Sequence, residues 1–315
     1  MKHIFIINPV AGKGQFQREL VRTITSVCPD LTPDWEIYET KSIGDALFFA
    51  KNYPGNAEVR FYAVGGDGTL NEVVNGARAR GNAEIGLFPC GSGNDFVRLF
   101  QNPAAFLSVE GQIKGATQAI DLIKSAGNYC INMCNLGLDA QTAADVHRFT
   151  RVMPGPMAYS LSLMNRLVHK MGLDIRVTLD SGEVISGDFI LATFANGIAY
   201  GGGYYAAPKA RFDDGLMDIC LVKPVKRLKI ANLLNVYKNG GHLDDSRFDE
   251  LLLYRRSAWA KIETSEPQKL CLDGEILTTD KAELKIEPKA IKLVIPQGAA
   301  RIEKYTPKPQ KEQEC

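Results

Sequence analysis

The feature that most constrains this chain is a unit used three times in its first third: a short apolar run, a glycine-rich turn, and a segment of helical period. Apolar residues 4–7 lead into Asn8-Pro9-Val10-Ala11-Gly12-Lys13-Gly14, after which Phe16, Leu20, Val21, Ile24 and Val27 recur at helical spacing. Residues 59–64 lead into Gly65-Gly66-Asp67-Gly68-Thr69 and a predicted helix over 69–79. Residues 85–88 lead into Pro89-Cys90-Gly91-Ser92-Gly93-Asn94-Asp95-Phe96 and a predicted helix near 94–100. A strand at 35–38 and a helix at 43–51 stand between the first unit and the second. Continuous apolar strands alternating with helices predict an open, mostly parallel sheet with helices on both faces. The C-terminal ends of such strands line a ligand crevice.

The three turns lie at those ends, and each opens a helix whose free backbone N–H groups favour an anion. Glycine lets the backbone approach a phosphate with no Cβ in the way. The first turn is not a P-loop, because GxxxxGK[ST] is absent; Lys13 is either a phosphate contact or a surface lysine. The second is the most informative. Its glycines expose amides, Asp67 can hold magnesium or its waters beside a phosphate, and Thr69 adds a hydroxyl. The plain alternative, Asp67 as a helix cap, does not call for so many glycines. In the third, Asn94 or Asp95 reads equally as a cap, and Cys90 has no histidine near it in sequence.

Past residue 126 the texture changes. Strand-like stretches at 129–135, 174–179, 184–195, 217–222, 258–263, 269–272, 283–286 and 291–295, separated by turns such as Asp180-Ser181-Gly182, predict a mainly antiparallel β domain. Helices are expected at 156–171 and 227–238. Three parts follow: an α/β domain over 1–126, completed by a C-terminal segment near 297–306; a β-rich domain over 127–296; and a polar, disordered tail over 307–315. A length of 315 residues fits two domains of ordinary size.

Composition removes several classes. Lys plus Arg is 37 and Asp plus Glu 36, a net charge of +1, so nucleic-acid coating is excluded. Seven cysteines without a CxxC pair read as reduced thiols in a cytosolic protein, and four histidines without HExxH argue against a zinc hydrolase. The N-terminus reads as a strand rather than a secretion signal. No uninterrupted apolar run is long enough to span a bilayer.

NPVAG, GGDGTLNEVVNG and PCGSGNDF, in this order and spacing, resemble the diacylglycerol kinase catalytic family, closest to its soluble bacterial lipid kinases related to sphingosine kinases. Asn196-Gly197 with Gly201-Gly202-Gly203, Ala207-Pro208, Asp213-Asp214-Gly215-Leu216-Met217-Asp218 and Leu272-Asp273-Gly274-Glu275 extend the likeness over all but the tail. The resemblance implies an α/β nucleotide-binding domain shared with NAD kinases, a β-sandwich substrate domain, and transfer of the γ-phosphate of ATP, with Mg2+, to a lipid hydroxyl. Diacylglycerol, giving phosphatidic acid, is the default acceptor. It assigns ATP to Asn8, Pro9, Val10, Ala11, Gly12, Thr40, Gly66, Asp67, Gly68, Thr69, Leu70, Asn71, Glu72 and Ser92. Glu275 becomes the general base, with Asp67 beside it in catalysis, although the residue alone reads as a solvated hairpin position. A structural magnesium would take Asp214 and the carbonyls of Arg211 and Leu216, with Asp213 and Asp218 as substitutes.

The acceptor cleft is expected between the domains, near residues 153–167, Tyr204 and Tyr205. Lys13, Arg18 and Arg98, joined by Arg166, His169 and Lys170, face anionic headgroups or form a solvated face. The expected enzyme is cytoplasmic, works at the bilayer surface, and leaves a homodimer open. Two alternatives stand beside it: an NAD kinase, and a nucleotide- or lipid-binding regulator without catalysis, whose mark would be damage at Asp67 or Glu275. Both residues are present.

Overall fold

Four strands, three of them apolar and mostly buried, build the first sheet of the computed structural model, which describes residues 1–150, 161–162, 172–303 and 305–307. β1 (Lys2–Ile7), β2 (Trp35–Glu39), β3 (Val59–Gly65) and β4 (Ala83–Pro89) run parallel in the order β2-β1-β3-β4. Helices α1 (Gln15–Leu31), α2 (Asp45–Asn52) and α3 (Asp67–Arg80) make the crossovers. Successive strand residues point to opposite faces, so both faces need cover. Phe5, Ile7, Tyr62 and Val64 pack with Leu20, Ile24 and Cys28 of α1. Ile4, Ile6, Phe61 and Ala63 pack on the other face with Ala46 and Ala50 of α2 and Leu70, Val73 and Ala77 of α3. The chain leaves β1 toward one side and returns on the other, so the strand order reverses between β1 and β3. Ligand crevices open at such a switch point.

After the short α4 (Val109–Ile113), β5 (Ala116–Ser125) and β6 (Asn128–Cys130) form a hairpin, and β7 (Met133–Gly137) enters the second domain. Helix α5 (Leu138–Thr150) follows. β8 (Leu173–Leu179) pairs with β9 (Val184–Phe189), while β10 (Leu191–Ala195), β11 (Met217–Val222) and β12 (Leu252–Ser257) extend the sheet from β7. Helix α6 (Arg227–Lys238) lies between β11 and β12 in sequence. β13 (Trp259–Leu272) pairs with β8 through its first half and with β7 through its last residues, its register shifting between Glu263 and Gln268. That switch folds the sheet onto a core that includes Leu136, Val177, Phe189, Phe194, Ile219, Ile262 and Leu284.

The last strand, β14 (Glu275–Ile295), belongs to both domains. It pairs with β13 up to Lys285, then with β5, and its far end runs parallel to β4. The chain then returns to the first domain, where Arg301 bridges to Phe100.

The structure joins two pairs of strands that the sequence pattern separates: 258–263 with 269–272 in β13, and 283–286 with 291–295 in β14. It splits the predicted strand at 129–135 after Cys130, because the next amides turn away to a carboxylate described below. The helix expected near 94–100 is a single 3-10 turn, Phe96–Leu99. β5, β12 and α5 were not anticipated. The helix expected at 156–171 lies outside the described residues apart from 161–162, as do residues 308–315 of the tail. Among the described residues, no helix is long and apolar enough to cross a membrane.

Candidate active site

The three glycine turns meet at the switch point. Asn8, at the end of β1, donates its amide to the Val64 carbonyl at 2.9 Å and its Nδ2 to Thr69 Oγ1 at 3.1 Å, tying the first turn to the second. The Cys90 amide donates to Gly65 O at 2.9 Å, tying the third to the second. Glycine is required at the crossings. A Cβ on Gly12, whose φ is +53°, would lie 2.2 Å from the Cys90 carbonyl oxygen, and one on Gly91 would lie 2.3 Å from the Gly66 Cα. Buried Gln17 adds a brace that the sequence did not suggest, donating Nε2 to the carbonyls of Asn8 at 3.2 Å and Ala11 at 2.6 Å.

Of the residues assigned to the nucleotide, Pro9, Val10, Gly12, Gly68 and Ser92 are exposed on the turns, and Ala11 and Gly66 are half-buried there. Thr40 sits at the tip of β2, its amide donating to Ile7 O at 2.8 Å. Others are committed elsewhere. Leu70 is in the core, and Thr69 holds Asn8. Glu72 accepts from the amides of Gly44 at 2.9 Å and Ala46 at 3.1 Å, so its carboxylate serves the N-terminus of α2.

Asp67 does not cap its own helix. Its Oδ1 accepts from the Asp95 amide at 2.8 Å, joining the second turn to the third. Asp95 is buried and turns its carboxylate across the domain junction: Oδ2 accepts from Gly202 N at 2.9 Å and Oδ1 from Arg98 Nε at 3.0 Å. Arg98 is thus fixed at the junction rather than free on a solvated face. A Cβ on Gly93 would stand 2.8 Å from Asp67 Oδ2 and 3.2 Å from Asp95 Oδ2, so both oxygens face one small space. Burial, then the charge of Asp95, pushes the Asp67 carboxyl upward, while the amides of Asp95 and Phe96 pull against that. Burial likewise raises Asp95. Two acids held together out of water are the chemistry that a divalent cation relieves.

These acids open onto a cleft of about 300 Å³, lined also by Asn132, Asn135, Asp139, Tyr200 and Asp273. Asp273 begins a two-residue hairpin turn with Gly274, both at positive φ (47° and 101°), the torsions of a type I′ turn that Asp-Gly favours. Its carboxylate accepts from three successive backbone amides, Ile131 at 2.6 Å, Asn132 at 3.1 Å and Met133 at 2.9 Å, and from Asn71 Nδ2 at 3.1 Å. Burial pushes this carboxyl upward, and the donors pull it down.

Glu275 follows the turn. Its side chain is exposed and lines a neighbouring cavity of about 240 Å³ with Gly44, Asn71, Glu72 and Tyr129. The structure therefore places Asp67 and Glu275 in adjoining spaces, with Asn71 and the turn at the wall between them, and does not bring the two carboxylates into one cleft.

An apolar cavity lies on the other side of the main cleft, lined by Leu138, Ile190, Leu191, Leu233, Leu234 and Phe248 among others. Asp139 and Tyr200 line both spaces. Tyr204 lines the apolar cavity and Tyr205 stacks on Tyr305 at 4.4 Å. Arg18 is exposed; the side chain of Lys13, the lining expected from 153–167 apart from the described 161–162, and Arg166, His169 and Lys170 lie outside the description.

In the loop assigned to the structural magnesium, Asp214 is paired with Arg256, and Leu216 donates its amide to Asp214 Oδ1 at 3.2 Å. Arg211 is exposed, its Nε 3.4 Å from Asp213 and 3.9 Å from Asp214.

Known proteins carry the same two-part architecture. The diacylglycerol kinase catalytic domain matches residues 2–125, and the YegS C-terminal NAD kinase beta sandwich-like domain matches residues 132–295. The chain is 28% identical to a diacylglycerol kinase of Staphylococcus carnosus over 86% of its own length and 87% of that protein. It is 28% identical to the Bacillus subtilis diacylglycerol kinase, over 86% and 88%. A diacylglycerol kinase structure from Bacillus anthracis shares the fold with a TM-score of 0.71 at 21% identity, covering 94% of this chain and 97% of that one. The chain belongs to the diacylglycerol kinase catalytic family. It is accordingly a lipid kinase, transferring phosphate to an alcohol, with ATP as the co-substrate its family implies.

Proposed function

We propose that the protein is an ATP- and Mg2+-dependent kinase that phosphorylates the hydroxyl of diacylglycerol, drawn from the bilayer surface, to give phosphatidic acid. The observation that carries this reading is a single arrangement: three glycine turns converging at the strand switch point, the Asp67–Asp95 pair at their base, and an apolar cavity across the shared wall of Asp139 and Tyr200.

The exposed amides of the turns and the N-terminus of α3 suit the phosphates of ATP. Asp67, whose Oδ2 has no arginine partner among the described residues, is the residue that would hold Mg2+, with Asp95 behind it already paired to Arg98; the ion would neutralise phosphate charge and supply no covalent chemistry. The apolar cavity between β10, α5 and α6, of about 70 Å³, takes a short stretch of acyl chain, with the glycerol end toward Asp139 and Tyr200 and the rest of the chains outside it. Glu275 is assigned as the base; because it lies in the adjoining cavity, the acceptor hydroxyl must reach past the Asp273–Gly274 turn from the cleft at Asp139 and Tyr200. The new P–O bond forms to the lipid oxygen as the β–γ bridging bond breaks and ADP leaves. Because Glu275 lies one residue past the Asp273–Gly274 turn, Asp273 acts as its positioning residue by fixing that turn to 131–133 and to α3.

The test separates binding from chemistry. Glu275→Gln is expected to leave Mg-ATP affinity nearly intact in calorimetry and to cut turnover by about two orders of magnitude. Unchanged turnover removes Glu275 from the mechanism.

A further inference from the structure

We infer that in this chain the guanidinium of Arg256, rather than a divalent cation, neutralises the acidic loop at 211–218 and fastens it between the domains. The ligand set implied by the resemblance, Asp214 with the carbonyls of Arg211 and Leu216, does not fit what the loop presents. Asp214 Oδ2 accepts from Arg256 Nη2, and its Oδ1 is taken by the Leu216 amide at 3.2 Å. A hard cation needs several free oxygens converging on it, and a cationic group in that shell opposes it.

The position of Arg256 is built into the sheet. β11 and β12 pair with Asp218 directly opposite Arg256. Asp218 is fully buried; it accepts the Tyr254 hydroxyl, and its Oδ2 lies 3.5 Å from Arg256 Nε. One guanidinium thus hydrogen-bonds Asp214 and stands at ion-pair distance from Asp218, whose Oδ2 has no hydrogen-bond partner among the described residues. The third acid, Asp213, accepts from Arg301 Nη1 at 2.6 Å and from Gln118 Nε2 at 2.9 Å. Three aspartates face Arg211, Arg256 and Arg301, and exposed Glu303 pairs with Arg301 and Arg211 on the outside.

The loop is a junction. Gly215 N donates to Asp121 Oδ2 at 2.7 Å, and Asp121 Oδ1 accepts from Lys289 N at 2.8 Å, where β14 bends from one domain into the other. Through Gln118 and Arg301 the same loop reaches β5 and the returning C-terminal segment. Arg256 therefore does the work of a structural ion at the point where the domains join.

Thermal melting of the nucleotide-free chain tests this. Asp67→Asn serves as the parent, so that the separate Asp67–Asp95 pair contributes no cation effect, and wild type is run alongside. The parent is expected to melt at the same temperature in EDTA as in millimolar Mg2+. A Tm several degrees higher in Mg2+ overturns the inference. Arg256→Gln in the same parent is expected to lower Tm by several degrees in EDTA; an unchanged Tm there overturns it equally. If Asp67→Asn does not fold, the wild-type chain and Arg256→Gln are each melted in EDTA and in millimolar Mg2+: a Tm drop of several degrees for Arg256→Gln in EDTA is expected, and an unchanged Tm there, or a Mg2+ gain larger in wild type than in Arg256→Gln, overturns the inference.

Discussion

Replacing Asp273 by Asn is the sharpest perturbation of the site, because it changes charge while leaving the turn intact. Asn is as acceptable as Asp at the first position of a type I′ turn, and the φ of 47° is open to both. The carboxylate offers two acceptor oxygens to Ile131 N, Asn132 N, Met133 N and Asn71 Nδ2 at 2.6–3.1 Å. An amide keeps one oxygen and turns an NH2 group toward donors, so at least two bonds are lost. Hydrogen bonds to a charged group are each worth about 1.5–3 kcal/mol. Relief of the buried charge returns part of that, leaving a net loss of roughly 2–4 kcal/mol. Urea unfolding of the two chains at neutral pH measures it as a shift in midpoint at constant slope. The variant should also lose kcat more than ATP affinity, because the turn that carries Glu275 is no longer fixed. A loss below about 1 kcal/mol would show that these bonds do not pin the turn.

Three further outcomes follow, two from the glycine turns and one from a buried histidine. Gly91→Ala brings a Cβ onto the Gly66 backbone and should destabilise the fold. Gly68→Ala meets nothing within 4 Å and should leave stability unchanged or slightly raised, yet weaken ATP binding about tenfold if phosphate lies against that amide. Calorimetry with parallel melts distinguishes the two, and tight ATP binding by Gly68→Ala would move the phosphates elsewhere. His242 is buried against Tyr237 and Phe248, and burial lowers its pKa from 6.5 to about 4. The unfolded chain then holds a proton that the native chain does not, so stability is present above pH 6.5 and lost as pH falls toward 4. Relative to His242→Gln, wild type should lose about 1.4 kcal/mol per pH unit in that window, and parallel denaturation curves at each pH would refute this.

What was legible in the sequence was local. A glycine turn after an apolar run announces itself, and GGDGT, GSGND and NPVAG located the crevice because their chemistry is written in adjacent residues. The partners of those residues were not legible. Asp95 read as a cap, whereas its carboxylate accepts from Gly202, 107 positions away. Asp273 read as a turn residue, whereas its ligands are backbone amides about 140 positions earlier, which have no side-chain signature. β12 is hidden because Arg255 and Arg256 make it look polar; the carboxylates that pair with them, Glu183 and Asp214, lie in turns distant in sequence. The strands expected at 258–263 and 269–272 are one strand because the register shift between Glu263 and Gln268, where Pro267 lies, is a bulge and not an end. The resemblance named Glu275 and the 211–218 loop, but only the fold shows which cavity the first faces and which cation the second already holds.

The central claim is phosphate transfer to a lipid alcohol, and one measurement addresses it directly. Purified protein is incubated with γ-labelled ATP and Mg2+ in mixed micelles carrying diacylglycerol, with phosphatidylglycerol, a sphingoid base and ceramide in parallel and NAD as a water-soluble control, and the products are separated by thin-layer chromatography. Label in phosphatidic acid, dependent on Mg2+ and lost in Glu275→Gln, is the expected result. Label in NAD alone, or none in any lipid although ATP binds, would contradict the account.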